Sequence, residues 1–311
     1  MFVLKAHIEI GKYAFKKVNE VEITRSLDLL GNTAVIRPPH SDALKQAIQV
    51  GHPAKVQIGY EGFDFFDTPA FEGVVTAIEA DTPMVIHCGD AAIQDLSKKS
   101  CNKNFTDTTL GEVMEYIVAD TGISLAETPT INLNRYLLKD QNGLEALAKI
   151  KEDYGLNIFL GDDGKLVAGL WQSYKGSGQV VDYRIGHNVI RHDLEFEAEL
   201  QVKVVGITNV NEKIERKAGS GGPVETFYRY DVSDQGQLLE IAESKLKALE
   251  QEGYHGTLTS FLTPFADRGM TAQLTDEDQP ETSGSYLISK VVTTYNEDGG
   301  RREIELARKL P

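Results

Sequence analysis

The chain is poor in the residues from which many catalytic and metal centres are built. Its 311 residues include two cysteines and one tryptophan. Cys88 and Cys101 are too few for a disulfide framework or a four-cysteine zinc site, and both read as small buried side chains. That usage fits a reducing compartment, or one where redox state is immaterial. No apolar run approaches the ~20 residues of a membrane span. The opening Met1-Phe2-Val3-Leu4-Lys5-Ala6-His7 is short, mixed and followed by charge, so no signal peptide and no membrane insertion are expected. Basic residues are also scarce: 32 Lys and Arg face 47 Asp and Glu, a net charge of -15. So acidic a surface repels phosphate backbones and argues against specific nucleic-acid binding.

Catalytic motifs are missing as well. There is no Gly-x-x-x-x-Gly-Lys-Ser/Thr loop to cradle phosphate and no Gly-x-Ser-x-Gly nucleophile elbow. The glycines of Gly219-Ser220-Gly221-Gly222 neither follow a buried strand nor open a helix, and read as a flexible loop rather than a dinucleotide site. His7, His40, His52, His87, His187, His192 and His255 are scattered, with no His-Glu-x-x-His pair. His187 and His192, with Asp193, would need further metal ligands from elsewhere. His87 and Cys88 are neighbours on a strand, and so point to opposite faces. Asp162-Asp163 and Asp276-Glu277-Asp278 fall in turns, where solvated carboxylates are common, and lack EF-hand spacing. No catalytic, cofactor-binding or metal residues are assigned, and no cofactor is expected.

What is present is strand periodicity. Phe2, Leu4, Ala6, Ile8 and Ile10 alternate with more polar positions, as a half-buried strand does. Further runs occupy Val18 to Leu27, Ala34 to Ile36, Val56 to Tyr60, and a hairpin from Phe71 to Ile78 and Met84 to Cys88. Ser41 to Val50 reads as a short helix capped by Ser41 and stopped by Gly51. After Asp90 the period changes. Thr109-Leu110-Gly111-Glu112 is a capping box opening a helix that Gly122 would stop. A second helix spans Asn142 to Tyr154, stopped by Gly155, and leads into a hairpin of Leu156–Leu160 and Lys165–Leu170. From Leu194 through Ala198, Leu200 and Val202 to Val204, apolar residues alternate with Glu195, Glu197, Glu199, Gln201 and Lys203, predicting one long strand with a solvated or channel-facing acidic side. A helix follows from about Asp234 to Glu252, and strands run over Tyr254–Leu262, Tyr286–Tyr295 and Arg301–Arg308. The order strand, loop, long strand, turn, strand closes the first β region and recurs at the end of the chain, the pattern of an internal duplication.

These stretches in this order resemble the tail-hub family of contractile-tailed phages and related injection systems, which includes Mu-type late-control tail proteins and the N-terminal half of type VI secretion spike proteins. The residues that carry the resemblance are Phe71-Glu72-Gly73-Val74-Val75, Val85-Ile86-His87-Cys88-Gly89-Asp90, Phe105-Thr106-Asp107-Thr108-Thr109-Leu110, Leu144-Glu145-Ala146-Leu147, Asp153-Tyr154-Gly155-Leu156, Gly164 to Gly169, Gly284 to Val291 and Gly299-Gly300-Arg301-Arg302. The resemblance implies a mainly β fold with an α+β insertion: two similar β-barrel domains flanking a small α/β unit. The expected limits are 1–99 for the first barrel, 100–172 for the α/β unit and 173–311 for the second barrel, which carries a loop and helix insertion at about 205–255. It also implies a homotrimer whose six barrels form a ring adapting a sixfold tail tube above to a threefold spike below. Nucleic acid would pass through its channel without specific binding. The particle would be a phage tail or phage-like machine assembled in the bacterial cytoplasm, and the chain would not be an enzyme. Two other readings stay open: a carbohydrate- or receptor-binding β protein of such a particle, which needs exposed aromatics on one sheet face, and a hydrolase with carboxylates gathered from distant strands. Interface residues, and the roles of the 216–224 loop and the 234–252 helix, are not legible.

Overall fold

The computed structural model describes residues 3–62, 70–80, 82–126, 128–161, 163–170, 176–197, 203–208, 214–220, 222–232, 234–249 and 253–310. Trp171, Asp162, Ala198, Leu200, Val202 and Gly221 lie outside the described residues. The opening alternation forms strands β1 (Leu4–Ile10), β2 (Tyr13–Phe15), β3 (Glu20–Ser26) and β4 (Thr33–Arg37). Helix α1 (Asp42–Ala47) starts where expected, with the Ser41 hydroxyl accepting from the Leu44 amide at 3.4 Å. It ends at Ala47 rather than near Val50, because Ile48 is already extended. Strands β5 (Pro53–Tyr60), β6 (Phe71–Glu79) and β7 (Val85–Gly89) follow.

Beyond them lie α2 (Ala91–Lys98), β8 (Ser100–Thr109), α3 (Leu110–Val118), β9 (Ser124–Leu125), β10 (Asn132–Asn142) and α4 (Gly143–Tyr154). The Thr109/Glu112 capping box is present on α3. That helix ends at Val118 instead of running to Gly122, since the Thr121 hydroxyl bonds the Val118 carbonyl at 2.6 Å and turns the chain early. A second capping box, Asn142 with Glu145, opens α4, and Gly155 closes it in the left-handed region at φ 62°. The hairpin β11 (Leu156–Leu160) and β12 (Lys165–Leu170) forms as read. The remaining elements are β13 (Val180–Arg184), β14 (Val189–Glu197), β15 (Lys203–Thr208), β16 (Ile214–Ala218), β17 (Val224–Tyr228), α5 (Gln235–Leu249), β18 (Gly253–Ser260), β19 (Thr271–Thr275), β20 (Gly284–Asn296) and β21 (Gly299–Lys309).

The chain divides into two units, not three. The first gathers residues 1–94, 176–195 and 254–311 around one 13-stranded sheet whose path runs β14-β18-β21-β20-β3-β4-β7-β6-β5-β1-β2, with β13 and β19 attached beside β20. Two cores fill it. Strands β1 to β7 all feed one cluster, including Ile8, Ile23, Ile36, Val56, Val75 and Ile86. The late strands feed another, including Tyr183, Leu258, Leu274, Tyr286, Ile288 and Ile304. The expected first and second β domains are therefore two lobes of one continuous sheet. The duplicated pattern is real at the level of topology: β5-β6-β7 and β19-β20-β21 are both antiparallel meanders.

The second unit holds residues 95–175 and 196–253. A two-stranded ribbon, β8 with β10, packs against α3 and α4, and β11-β12-β9 forms a small sheet beside them. The insertion expected to belong to the second β domain is in this unit. Its sheet β16-β15-β17 covers α5 through Val204, Ala218, Ala242 and Leu246. The long alternating strand predicted from Leu194 to Val204 is divided between β14 of the large sheet and β15 of this small one.

Candidate assembly surface

Strand β20 is the seam of the large sheet. Its first residues pair with β19 (Thr271↔Leu287) and its last with β3 (Lys290↔Ser26 through Asn296↔Glu20), while β21 runs along its other side. The register with β21 slips between Tyr286 and Lys290. Extra residues there bend and twist the strand, which lets one strand serve both lobes. Ser289, in this slip, donates to the Glu305 backbone carbonyl at 3.2 Å, and its own carbonyl accepts the Leu27 amide at 2.9 Å.

Charge fastens the same seam. Arg25 on β3 makes a two-pronged bond with Asp267, Nε to Oδ1 at 2.8 Å and Nη2 to Oδ2 at 2.6 Å, with both side chains largely buried. Asp267 Oδ1 also accepts the Arg268 amide at 2.8 Å, and the Arg268 guanidinium reaches the Asn32 side chain. Arg302 bonds the carbonyls of Leu262 and Pro264 and lies over the Phe265 ring at 4.8 Å. Paired guanidiniums of this kind specify one arrangement of two surfaces.

A second buried network lies inside the other unit. Arg229 bonds Asp153 Oδ2 at 2.9 Å, Asp231 Oδ1 at 2.9 Å and the Tyr154 hydroxyl at 3.0 Å, and its Cζ sits 4.3 Å from the Tyr154 ring centre. The Tyr154 hydroxyl donates to Asp231, whose backbone carbonyl accepts the Asn134 amide. Burial drives the Tyr154 and Tyr136 phenols upward, so both stay neutral. Helix α5 caps α4 in turn: Ser244 donates to the Gly155 carbonyl and Lys245 to the Glu152 carbonyl, each at 2.6 Å. Sequence reasoning missed these residues because Arg229 and Asp231 are remote in sequence from Asp153 and Tyr154.

The residues weighed for chemistry do not converge. Cys88 is buried in the first core, and desolvation pushes its thiol up to about 12; burial also raises that of Cys101. Such thiols are poor nucleophiles. His87 pairs with Glu79 at 2.8 Å instead of with Cys88. His187 lines a shallow depression of about 330 Å³ with Asp182, Arg184 and Asn188, while His192 sits on β14 away from that lining. Asp276 is a buried turn cap, accepting from the amides of Asp278 and Gln279 at 2.9 and 3.0 Å. Asp163 serves the tight turn before β12 and accepts the Lys165 amide. Gly219 and Gly222 take positive φ in the β16–β17 turn. Glu195 is exposed on β14. Among the described residues no group of three or more His, Cys, Asp or Glu is placed to hold a metal ion, and no helix is long and apolar enough to cross a membrane.

What the structure offers at its surface is strand edge. The large sheet begins at β14 and ends at β2, and among the described residues no further strand pairs with either, apart from a single parallel bridge between Ile185 and Val189 at the start of β14. Exposed apolar side chains include Val180 and Ile190, the Phe261 and Phe265 loop, and the stacked rings of Tyr228 and Tyr230, 6.1 Å apart.

No family model matches the chain, and no curated protein matches it by sequence. Solved structures match it along its whole length. A 43 kDa tail protein of prophage MuSo2 from Shewanella oneidensis superimposes with a TM-score of 0.73 over 98% of both chains at 14% identity. A tail protein from Neisseria meningitidis gives 0.69 at 15% identity, covering 98% of this chain and 96% of the other. A component of the E. coli type VI secretion system, described as structurally similar to the T4 tail proteins gp27 and gp5, gives 0.64 at 11% identity over 98% and 77%. The two-lobed sheet with its α/β unit is thus the fold of phage tail proteins and of a type VI secretion component.

Proposed function

We propose that the chain is a structural hub of a contractile phage tail or phage-like injection machine: a trimeric ring that joins a sixfold tube to a threefold spike and encloses a channel. The observation that carries this reading is the match over 98% of both chains to a prophage tail protein. Two lobes of like topology per chain support it, because three chains then present six similar modules. Net charge supports it too: at -15 the chain repels the nucleic acid that a tail must pass without holding. In this reading the chain is not an enzyme, its partners are a spike and a tube protein, and it acts as part of the particle after assembly in the bacterial cytoplasm.

Light scattering after size exclusion, with and without co-expressed tube and spike proteins, tests the proposal. A mass near three times 34.3 kDa, with rings in negative stain, is the expected result. A 34.3 kDa species in every mixture overturns it. A second reading, glycan or receptor binding, rests on the exposed Tyr228–Tyr230 stack. A glycan array silent for the wild type removes it; a signal lost in Tyr228→Ala would replace the first reading.

A further inference from the structure

We infer that copies of this chain join head to tail through the two open ends of the large sheet, the β1–β2 hairpin of one copy seating on the outer edge of β14 in the next. The inference rests on the ring reading above and names its contact. Within one copy the sheet ends at β2 on one side and at β14 on the other. β14 is nine residues long, contains no proline, and keeps Ile190 45% exposed. Val189 at its start bridges Ile185, and the rest of that edge, uncovered by any strand among the described residues, invites another strand.

Charge decides which strand it takes. The β2 hairpin carries exposed Lys12, Lys16 and Lys17 within six residues and no acidic residue among them, in a chain where acids outnumber bases 47 to 32. The β14 edge presents exposed Asp193 and Glu195, with Arg191 as its one fixed cation. Among the described residues none of Lys16, Lys17, Asp193 and Glu195 has an ion-pair partner. Charges of a single sign on both ends would merely keep copies apart. Opposite excesses on two ends of one sheet favour end-to-end contact and oppose the like-to-like pairing of two β14 or two β2 strands. The two surfaces differ, so the contact is heterologous and a closed ring satisfies every end.

The test uses the full chain, mixed from ¹⁴N- and ¹⁵N-labelled preparations and treated with a zero-length carbodiimide. Isopeptide links from Lys16 or Lys17 to Asp193 or Glu195 in mixed-isotope peptides are expected. Light scattering should show Lys16→Glu/Lys17→Glu associating about tenfold more weakly, with recovery on adding Asp193→Lys/Glu195→Lys. All four positions are exposed, so folding should survive, which circular dichroism verifies. Oligomers lacking those links, or links confined to single-isotope peptides, overturn this contact and leave the ring reading standing. Monomers at every concentration, with and without co-expressed tube and spike proteins, and no links, overturn both.

Discussion

Arg25 and Asp267 are largely buried, and their two bonds tie β3 to the loop that precedes β19. Removing one member strands the other in a poorly solvated site, at a cost of about 3–5 kcal/mol. Arg25→Ala is therefore expected to lower the free energy of unfolding by that order in urea titration. Asp267→Leu should cost at least as much, because the Arg268 amide loses its acceptor too. A change under about 1 kcal/mol for Arg25→Ala would mean that solvent already screens the pair. Neither residue announces itself in sequence. Arg25 looks like any strand-edge base, and Asp267 like any loop acid, until the fold brings them together.

At the scale of elements, much was legible where a local signal sufficed. The Thr109 capping box, the glycine stop at Gly155 and the β6–β7 and β11–β12 hairpins each depend on residues close in sequence. The β8–β10 ribbon was not legible. Its strand Ser100–Thr109 carries few apolar residues, of which Cys101 and Phe105 are buried, so alternation is hidden beneath polar side chains. Helix α2 was missed for a similar reason, as only Leu96 in it is buried. The docking of α5 was also beyond sequence, because its anchors Ser244 and Lys245 bind backbone carbonyls of α4. The α3 box yields a pH prediction. The Thr108 hydroxyl, at 2.6 Å, and then the Thr109 amide, at 2.9 Å, hold the Glu112 carboxyl below its ordinary range. A native value below the unfolded one means that the bond helps fully above the ordinary carboxylate range and is lost as pH falls through the lowered value. Glu112→Gln should flatten the acid limb of a stability–pH curve; equal acid limbs for both chains would refute this.

For the whole molecule, the lobes share β20 and should share a fate. Leu306 is 2% exposed in the later core, and Leu306→Ala should cost about 2–5 kcal/mol. Cys88 lies in the other core, where its buried thiol reports opening. If the lobes unfold as one, the variant lowers the urea midpoint for Cys88 labelling as much as that for overall unfolding. If Cys88 labelling is unmoved, the lobes are independent despite their common sheet.

The pairing of β3 with β20 also sets an order in time. β3 comprises residues 20–26 and its partner begins at Gly284. At about 5–20 residues per second, a ribosome needs on the order of tens of seconds to make the second strand after the first. Until then the first lobe has β4 on one side of β3 and nothing on the other. That temporary edge carries Glu20, Glu22 and Arg25, the kind of charged border that discourages a stray strand from adding. The charges of β3 thus guard the nascent chain first, and fasten the lobes afterwards.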